Sequence, residues 1–408
     1  MIKAQNMLKF IDNKITFDYS RCQQCGACGA VCPKGAITFA MRDDATHDVV
    51  VDGDKCISCQ RCVRVCPANK EEDYKGYFEG FDKKRYFLGY NVDDKIRRES
   101  SSGGVCKTLI IESLKNDLAD GFYTLRRTDV FPFAEGEFYT KDNIPDYGDM
   151  PNSVYHTLLA CRNIDKIKKC KRLIVVGTSC QLRAMNAALK GRADEIIRVC
   201  IFCKQQKTLD STRFLAKMMG TRVPENRIFF VRYRGQGWQG IVRVNEAMLP
   251  WNRAASLPFG KRLWTVPGCN VCGDPFGTNA EADISLMDPW NIRRPNDLGE
   301  TLITVHTDCG MELLKSIGTI KLEEKSFDDV KPALDLKDVW RKQQLVPFFR
   351  GEKCSDVVHK AGMAELWQRK FLRNFVEIMP RMPLLLYRVL CHFLPDTCNK
   401  ILSDKKQK

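Results

Sequence analysis

Cysteine is the residue type whose number and spacing point most directly to chemistry in this chain. The 408 residues include 20 cysteines, and eight of these form two copies of the pattern C-x2-C-x2-C-x3-C-P, in Cys22–Pro33 and Cys56–Pro67. Three thiolates in one tight loop can bind three iron corners of a 4Fe–4S cubane, while the fourth reaches the other cluster of a pair. The spacing therefore predicts two 4Fe–4S clusters, one held by Cys22, Cys25, Cys28 and Cys66 and one held by Cys56, Cys59, Cys62 and Cys32.

Zinc binding and plain reduced thiols are the alternatives for these eight cysteines. A zinc knuckle uses two pairs of ligands rather than a run of three plus one. A secreted disulfide framework would follow a signal peptide, whereas residues 1–10 (MIKAQNMLKF) are polar and have no apolar core. The longest apolar run, near residues 382–390, falls far short of the ~20 residues of a membrane span. We therefore expect a cytoplasmic protein without a transmembrane segment, in which cysteines bind metal or do redox chemistry.

The elements around the two motifs must bring their loops together. The motifs form a repeat of about 34 residues, and strand-like segments flank them at Lys14–Phe17, Ala36–Phe39 and Asp48–Val51. Over some 55 residues this part resembles bacterial two-cluster ferredoxins. The resemblance implies an α+β ferredoxin-like domain, which we place at residues 1–75, that carries electrons and has no substrate site of its own.

The middle of the chain, residues 76–330, alternates helical and strand-like segments. Its pattern predicts helices over Val105–Leu118 and Gln181–Leu189, strands over Arg172–Val176 and Ile196–Phe202, and a hairpin over Ile228–Val244. Strand, helix and strand at this spacing favour an α/β layer with parallel strands. We expect a second, larger α/β domain over these residues.

The last part, residues 331–408, predicts a basic helical extension. Trp367–Leu394 mixes apolar and basic residues and is interrupted by Pro380, Pro383 and Pro395, which favours short amphipathic helices. We expect these helices to pack on the large domain or on a partner. The alternative is a membrane surface, contacted by a basic face of the helices. Its cations would be Arg369, Lys370, Arg373, Arg381 and Arg388.

Six short motifs follow one another through the middle of the chain. They are Ser101–Gly104, Gly177–Gln181, Ile201–Cys203, Arg232–Trp238, Cys269–Cys272 and Ala282–Trp290. In this order, over roughly residues 85–330, the chain resembles the beta-subunit family of coenzyme F420 hydrogenases and dehydrogenases, which are flavin and iron–sulfur oxidoreductases. The resemblance implies an FAD and a third 4Fe–4S cluster.

The family pattern implies Cys180, Cys203, Cys269 and Cys272 as ligands of the third cluster. Buried apolar cysteines are the alternative, with the C-x2-C pair acting as a redox pair or as half of a zinc site. Cys200 lies three residues before Cys203, and the choice between them rests on the family pattern alone. Seven other cysteines have no partner at a suitable spacing and are expected to be structural: Cys106, Cys161, Cys170, Cys309, Cys354, Cys391 and Cys398.

Ser101, Gly103 and Gly104 precede a predicted helix whose N-terminal amides could bind the pyrophosphate of a flavin. An ordinary helix cap is the alternative. The carboxylate of Asp288 could orient a flavin or ribose hydroxyl, and a plain turn residue is again the alternative. The chain departs from the family here, with Met287 before Asp288 where many members have glycine, and Ser179 where proline is usual.

Residues Gly235–Gly240 match G-x-G-x-x-G, the letters of a dinucleotide fingerprint. That fingerprint must open a helix, whereas the residues that follow are strand-like, so we do not expect a Rossmann site. The family resemblance instead places this glycine hairpin near the flavin and implies flavin contacts by Arg232, Arg234, Gly235 and Gly237. Gln236 and Gln239 replace the family's lysine and proline.

These patterns predict an oxidoreductase in which FAD links a hydride donor or acceptor, coenzyme F420 or another small molecule, to the clusters. None of the five histidines lies in a motif, so no catalytic base is predicted, as flavin chemistry allows. The alternative is a non-catalytic electron-transfer subunit that docks to a partner enzyme. The net charge of +15 then suits an acidic redox partner such as a ferredoxin. We expect no nucleic-acid partner, because no RNA- or DNA-binding motif accompanies the charge.

Overall fold

The computed structural model of the chain describes residues 8–11, 14–70, 73–219, 228–254, 256–292, 297–378, 386, 389 and 397–403. The strands are β1 (Leu8–Ile11), β2 (Lys14–Phe17), β3 (Ile37–Met41), β4 (His47–Val51), β5 (Arg85–Asn91), β6 (Gly121–Arg127), β7 (Ala134–Tyr139), β8 (Cys170–Gly177), β9 (Ala193–Ile201), β10 (Val231–Arg232), β11 (Ile241–Val244), β12 (Ala247–Pro250), β13 (Ile284–Met287), β14 (Thr301–Val305) and β15 (Ile320–Lys325). The helices are α1 (Ala27–Ala30), α2 (Arg61–Val65), α3 (Asp94–Glu99), α4 (Val105–Lys115), α5 (Ser179–Ala188), α6 (Leu209–Met218), α7 (Trp251–Ala254), α8 (Ser256–Gly260), α9 (Asp308–Lys315), α10 (Phe327–Leu334), α11 (Leu336–Phe349), α12 (Asp356–Ile378) and α13 (Thr397–Ser403).

The N-terminal part is built from two small hairpins and two short helices. Strands β1 and β2 pair antiparallel, as do β3 and β4, and α1 packs against α2. Each helix contains the third cysteine of one motif. The three predicted strands are present as β2, β3 and β4. The ends of β3 and β4 differ from the predicted ones by at most two residues. The α+β organisation expected for this part is therefore observed.

An eight-stranded sheet forms the centre of the large domain, in the order β15-β5-β14-β13-β9-β8-β6-β7. The central pairs β13–β9, β9–β8 and β8–β6 are parallel, as predicted. The outer pairs are antiparallel, so the sheet is mixed and the expectation of a parallel layer was wrong at both margins. The reason is that β7 and β14 each run back directly beside the strand that precedes them in sequence.

Successive residues of the central strands point to opposite faces and so belong to two separate cores. Ile174 packs in the core that contains α4 and α9, whereas Val175 packs in the core that contains α5. The second core also includes Ala27 of α1 and Val65 of α2. The ferredoxin-like part therefore packs across α5 on one face of the sheet.

The hairpin predicted over Ile228–Val244 is present as β10 and β11, with β12 as a third strand. Its apolar side chains share a core with Phe214 of α6 and with Leu372 and Val376 of α12. The residues directly after Gly240 form strand β11 and not a helix, so Gly235–Gly240 does not form a Rossmann turn, as expected.

The C-terminal residues pack against the rest of the protein. Helix α12 continues for 23 residues where shorter helices were predicted, and it buries Ala361, Leu372 and Val376 on one side. Arg369 lies on that inner side, where it binds Glu365 and Asn270, as expected for a helix packed on the large domain; the alternative, in which it would face lipid, does not hold for this residue. Lys370 and Arg373 are exposed. Among the described residues, no helix has the length and apolarity needed to cross a bilayer. The three predicted helix-breaking prolines, Arg381, Arg388 and Cys391 lie outside the described residues.

Candidate functional site

The first ferredoxin-type motif lines a small cavity together with the last cysteine of the second motif. Cys22, Cys25, Cys28 and Cys66, which we call the first set, all border this cavity, and Phe39 and Val49 close its apolar side. Cys66 reaches it because α1 and α2 pack against each other, and Cys66 directly follows α2. The crossed ligation predicted from the spacing requires this arrangement, and the ligand assignment itself stays a prediction.

A hydrogen bond from Cys161 lowers the pKa of Cys25, but burial dominates the electrostatics of the other three cysteines of the first set. Burial raises the pKa of Cys22 and of Cys28, and neighbouring thiols of the set raise both further. Burial likewise raises the pKa of Cys66 to about 12, with Cys25 adding to the effect. Thiols crowded in this way ionise readily only beside added positive charge, and iron supplies that charge when it binds thiolates. The donor set and its surroundings therefore fit an iron–sulfur cluster.

The remaining ferredoxin-type cysteines, Cys32, Cys56, Cys59 and Cys62, form the second set. Burial raises the pKa of Cys62 to about 11, and the nearby Cys32 and Cys59 thiols raise it further. Cys32, Cys56 and Cys59 are only half-buried, unlike the members of the first set. The second set is thus the more exposed of the two.

Cys180, Cys203, Cys269 and Cys272, the third set, come together from three separate parts of the chain. Cys180 is the second residue of α5, and Cys203 follows the end of β9 by two residues. Cys269 lies in the 3-10 helix Pro267–Val271, and Cys272 directly follows it. Burial raises the pKa of Cys180, and the other three thiols of the set raise it further, so the four are close neighbours.

Cys200 is placed differently from Cys203. It lies inside β9 and is fully buried. Its Sγ packs so closely on Gly277 that a side chain at that position would collide with it. Cys203 is one of the thiols that influence Cys180, whereas Cys200 is not among the main ones. The geometry therefore favours the family's choice of Cys203. Within the described residues, no group of three or more His, Cys, Asp or Glu side chains is arranged to hold a single metal ion, as a zinc site would require.

Asp274 is a supporting residue that the sequence analysis missed. It is fully buried and accepts hydrogen bonds from the hydroxyls of Tyr77 and Ser179, each at 2.5 Å. These bonds tie the loop that carries Cys272 to the beginning of α5, which carries Cys180. The only available signal was an aspartate two residues after a C-x2-C pair.

Two buried lysines, also missed, lie beside the third set. Lys207 is 1% exposed, and its Nζ donates to the carbonyls of Pro258 (2.6 Å) and Leu263 (2.9 Å). Burial lowers its pKa well below the usual value, and Cys269 and Cys203 act in the opposite direction. Lys342 is also buried and donates to the carbonyl of Lys204; burial raises the pKa of Cys269, and the charge of Lys342 opposes that rise. Cations in this position fit a cluster whose four thiolates make it anionic.

The eight residues predicted to bind flavin meet in one region, with Arg234 at its centre. Arg234 is 1% exposed and donates to both carboxylate oxygens of Asp288, at 2.6 and 2.8 Å. Its Nη2 also donates to the carbonyl of Ser101 at 2.9 Å. Gly103 and Gly104 follow Ser101 and lead directly into α4, with Gly104 as the N-cap in a left-handed conformation.

The other predicted flavin residues surround the backbone of Arg234. Arg232 donates to the Arg234 carbonyl at 3.0 Å and to Glu99 at 2.9 Å. Gly235 has a φ of +103°, and a Cβ there would lie 2.6 Å from Nδ2 of Asn152, so only glycine fits. The amide of Gly237 donates to the carbonyl of Arg98 at 2.8 Å.

Asp288 and Ser101 have partners within the protein. Burial acts to raise the pKa of Asp288, but Arg234 outweighs it, so the pKa lies below the usual value and the carboxylate is ionised. Trp238 Nε1 also donates to Asp288, at 3.3 Å. The hydroxyl of Ser101 accepts from the amide of Ser153 at 2.9 Å. Both residues thus hold the region together, and a direct flavin contact by either one stays a prediction.

Several buried polar atoms in this region have no hydrogen-bond partner within the described residues. They are Nε of Arg234, Oδ1 of Asn152 and Oε1 of Gln239. The rings of Trp238 and Trp290 lie beside them, with centroids 4.9 Å apart. Aromatic faces next to unused donors and acceptors fit a planar group with a polar edge, as the isoalloxazine ring of a flavin is.

The flavin region and the third set lie at the same edge of the sheet. Leu286 of β13 is paired with Ile201 of the parallel strand β9. Asp288 and Cys203 each follow these partners by two residues, so they emerge side by side. Gly177, two residues before Ser179, is paired with Cys200 at the end of β8. Carboxyl ends of parallel strands are the usual place for ligands in such sheets.

The first and third sets are joined through a close backbone contact. A side chain at Gly268, next to Cys269, would overlap the carbonyl of Cys22. On the other side, the amide of Cys161 donates to the carbonyl of Cys25 at 2.7 Å. Flavin region, third set, first set and second set therefore follow one another through the protein.

Comparison with known proteins bears on both parts of the chain. Residues 21–70 match the family of 4Fe-4S dicluster domains, which supports the two clusters predicted from the spacing. Residues 170–329 match the family described as the C terminus of the coenzyme F420 hydrogenase/dehydrogenase beta subunit. The family resemblance predicted over roughly residues 85–330 is thus confirmed for residues 170–329.

One solved structure that aligns with the chain belongs to the F420-reducing [NiFe] hydrogenase complex from Methanosarcina barkeri. The alignment has 19% sequence identity and a TM-score of 0.45, and it covers 63% of this chain and 87% of the other. No curated protein matches the chain.

Proposed function

We propose that this protein is an FAD-dependent iron–sulfur oxidoreductase that passes electrons between a small hydride donor or acceptor and three 4Fe–4S clusters. The observation that carries the proposal is the shared sheet edge, where Asp288 and Cys203 emerge from neighbouring parallel strands. A two-electron site and a one-electron site must lie close together for electrons to pass between them. At this edge the flavin region and the third cysteine set are neighbours.

A flavin supplies the exchange between a hydride, taken or given at N5, and single electrons. The residues of this chain would bind and orient it. The Arg234–Asp288 pair fixes the hairpin against the residues before α4, and Trp238 and Trp290 offer aromatic faces. The unused polar atoms of Asn152 and Gln239 would meet its polar edge. Gly104 and the first amides of α4 are the proposed site for its pyrophosphate.

The three cysteine sets are the proposed ligands of three clusters, and their order gives the electron path. The third set lies nearest the flavin region, the first set contacts it through Gly268, and the second set is more exposed than the first. Electrons would leave or enter at the second set, through a ferredoxin or another redox partner. The reducing cytoplasm is the proposed location, because buried thiols persist there.

The name of the matched family points to coenzyme F420 as the small molecule that exchanges hydride. We propose this deazaflavin or another reduced small molecule of similar chemistry as the substrate. The buried Arg234 guanidinium, paired with Asp288, also lies over the rings of Trp251 and Trp290, which offers a setting for a planar aromatic ligand.

Anaerobic purification followed by flavin and iron analysis tests the proposal. We expect about one FAD and about 12 iron atoms per chain, that is, three cubanes. The variant Trp238→Ala should lose flavin and retain the iron, whereas the exposed Trp367→Ala, a matched control, should retain both. Full iron content without any flavin would overturn the proposal in favour of a non-catalytic electron-transfer subunit.

A further inference from the structure

A broad open groove of about 1500 Å³ separates the ferredoxin-like part from the sheet domain. One wall is formed by the end of α1 and by α2, and the other by the second half of α5 and the turn into β9. We call this feature the basic groove because of its lining. Among the described residues, seven basic and four acidic side chains border it: Arg61, Arg64, Lys70, Arg183, Lys190, Arg192 and Arg198, against Asp73, Asp165, Asp194 and Glu281.

Arg198 of the basic groove is paired with Glu281 and Asp283, but part of the remaining positive charge has no counter-charge among the described residues. Arg61, Arg64 and Lys190 are exposed, and none of them makes an ion pair with another described residue. Burial lowers the pKa of Lys70, and the nearby cations Arg183 and Lys190 lower it further. Like charges thus crowd together across the two walls. An excess of unpaired charge on a concave surface is suited to attracting a ligand of opposite sign.

The basic groove also reaches the second cysteine set. Cys32 is part of its lining, and Arg61 and Arg64 lie on either side of Cys62 in α2. Because the third and first sets contact each other through Gly268, the second set is at the far end of the series. A protein that exchanges electrons with this chain gains the shortest path by docking where the last set approaches the surface.

We propose that the basic groove is the docking site of an acidic electron-carrier protein, which exchanges electrons with the cluster of the second set. The inference rests on the proposed function and adds to it the place and the charge of the partner. In each encounter one electron crosses, so that one cluster is oxidised by one electron while the carrier is reduced by one, or the reverse. Opposite charges would speed the encounter and orient the carrier toward Cys32.

Stopped-flow kinetics on the full-length protein, purified anaerobically with its clusters, test this proposal. A reduced, acidic bacterial two-cluster ferredoxin is mixed with the oxidised protein, and the bimolecular rate constant is measured at low and high salt. The charge reversal Arg61→Glu with Arg64→Glu should lower the rate constant at least tenfold at low salt. The difference should shrink at high salt, because exposed charges are screened.

The matched control reverses two exposed helical lysines far from the groove, Lys315→Glu and Lys337→Glu, for the same change in net charge. It should alter the rate constant by less than twofold. A second groove variant, Lys190→Glu with Arg192→Glu, changes the opposite wall in case the α2 variant assembles its clusters poorly. Equal rate constants for groove and control variants would overturn the docking site.

Reduction by methyl viologen radical separates this inference from the proposed function. The small radical needs no docking surface, so it should reduce the clusters of every variant at the same rate. If it does so while all variants also react equally with the ferredoxin, the groove assignment is wrong and the clusters remain. If iron analysis and reduction show no clusters in the unmodified protein, the proposed function itself fails.

Discussion

The ferredoxin-like segment and the sheet edge both gather sets of four cysteines, but the chain builds these sets in different ways. All eight cysteines of the first segment lie within residues 22–66, and a repeated local spacing brings them together. The third set spans residues 180–272 and depends on the ends of two strands, a helix start and a separate loop. A local motif therefore specifies the first kind of site, whereas the topology of the sheet specifies the second.

The two regions also differ in their electrostatics. After burial, the strongest effects on Cys22 and Cys28 come mainly from neighbouring thiols and backbone amides. The third set faces two buried lysines, Lys207 and Lys342, whereas the buried cations near Cys66 of the first set are arginines, Arg21 and Arg183. Nearby positive charge stabilises the reduced form of a cluster, since reduction adds negative charge. We therefore expect Lys207 and Lys342 to raise the reduction potential of the third cluster.

The largest expected effect in this comparison is the loss of one whole cluster. Cys272→Ala should remove about four of about 12 iron atoms and leave the ferredoxin-type signals intact, because the third set lies in a separate domain. Cys66→Ala should remove the cluster that also uses Cys22, even though Cys66 belongs to the other motif. Iron analysis together with EPR spectroscopy distinguishes the two losses.

Cys200→Ala is the matched control, since Cys200 is as deeply buried as the third set and lies close to it. It should keep the full iron content. If Cys200→Ala loses four iron atoms and Cys203→Ala does not, the assignment within this pair is reversed.

The success of the predictions from sequence depends on the same difference between local motifs and sheet topology. The spacing of eight cysteines was enough to predict the crossed gathering of the first set, because the relevant contacts are local. The strand predicted at Arg172–Val176 is present as Cys170–Gly177, and the helix predicted from Gln181 begins at Ser179, because its cap is Thr178. The helix predicted over Val105–Leu118 and the strand predicted over Ile196–Phe202 are likewise present, so elements with a strong local pattern were found within about three residues.

The parts that sequence reasoning missed depend on distant residues. Nothing near Asp274 indicates that Tyr77, nearly 200 positions away, donates to its carboxylate. Lys207 has no local signal for burial beside cysteines, and Arg369 looks like a surface cation in a basic helix. The antiparallel margins of the sheet were missed because strand direction depends on how the chain returns, which local propensity does not encode.

The contact between the two regions can be broken at Gly268. Gly268→Ala would place a methyl group on the carbonyl of Cys22, and we expect the free energy of unfolding to fall by about 1–3 kcal/mol, as in overpacked cores. Denaturant unfolding of the cluster-loaded protein, followed by loss of visible absorbance, measures this change. Gly318→Ala is the control, because a side chain there would meet nothing within 4 Å. An equal effect of the two substitutions would contradict the close contact between the regions.

A smaller effect is expected on reduction potential when a buried cation is removed. Lys342→Met should lower the reduced fraction of the third cluster about tenfold at a fixed potential, a shift of about 59 mV for one electron. Lys207→Met should act in the same direction, and Lys207→Arg should restore the potential. EPR-monitored redox titration reports each cluster separately, so the potentials of the first and second clusters serve as internal references.

Lys107→Met is the matched control for these substitutions. Lys107 is a partly buried lysine whose pKa is lowered to about 8 by burial, and it donates to the carbonyls of Tyr147 and Met150 rather than contacting a cysteine set. Its removal should leave all three potentials unchanged. Should the third potential stay constant in Lys342→Met and Lys207→Met as well, the proposed electrostatic difference between the regions is wrong.

The smallest expected effect concerns the support of the third set from outside its own loop. Tyr77→Phe removes the hydroxyl that donates to Asp274 at 2.5 Å, which should weaken the loop of Cys272 by about 1 kcal/mol. Iron of the third cluster should then be lost to a chelator several times faster, while the other two clusters are lost at the unchanged rate. Tyr86→Phe removes a buried hydroxyl that donates to the Phe81 carbonyl at 2.6 Å, away from all three sets, and should change neither rate. Because the third set is assembled by topology, distant substitutions should affect it alone, and a faster loss of all three clusters in Tyr77→Phe would contradict that distinction.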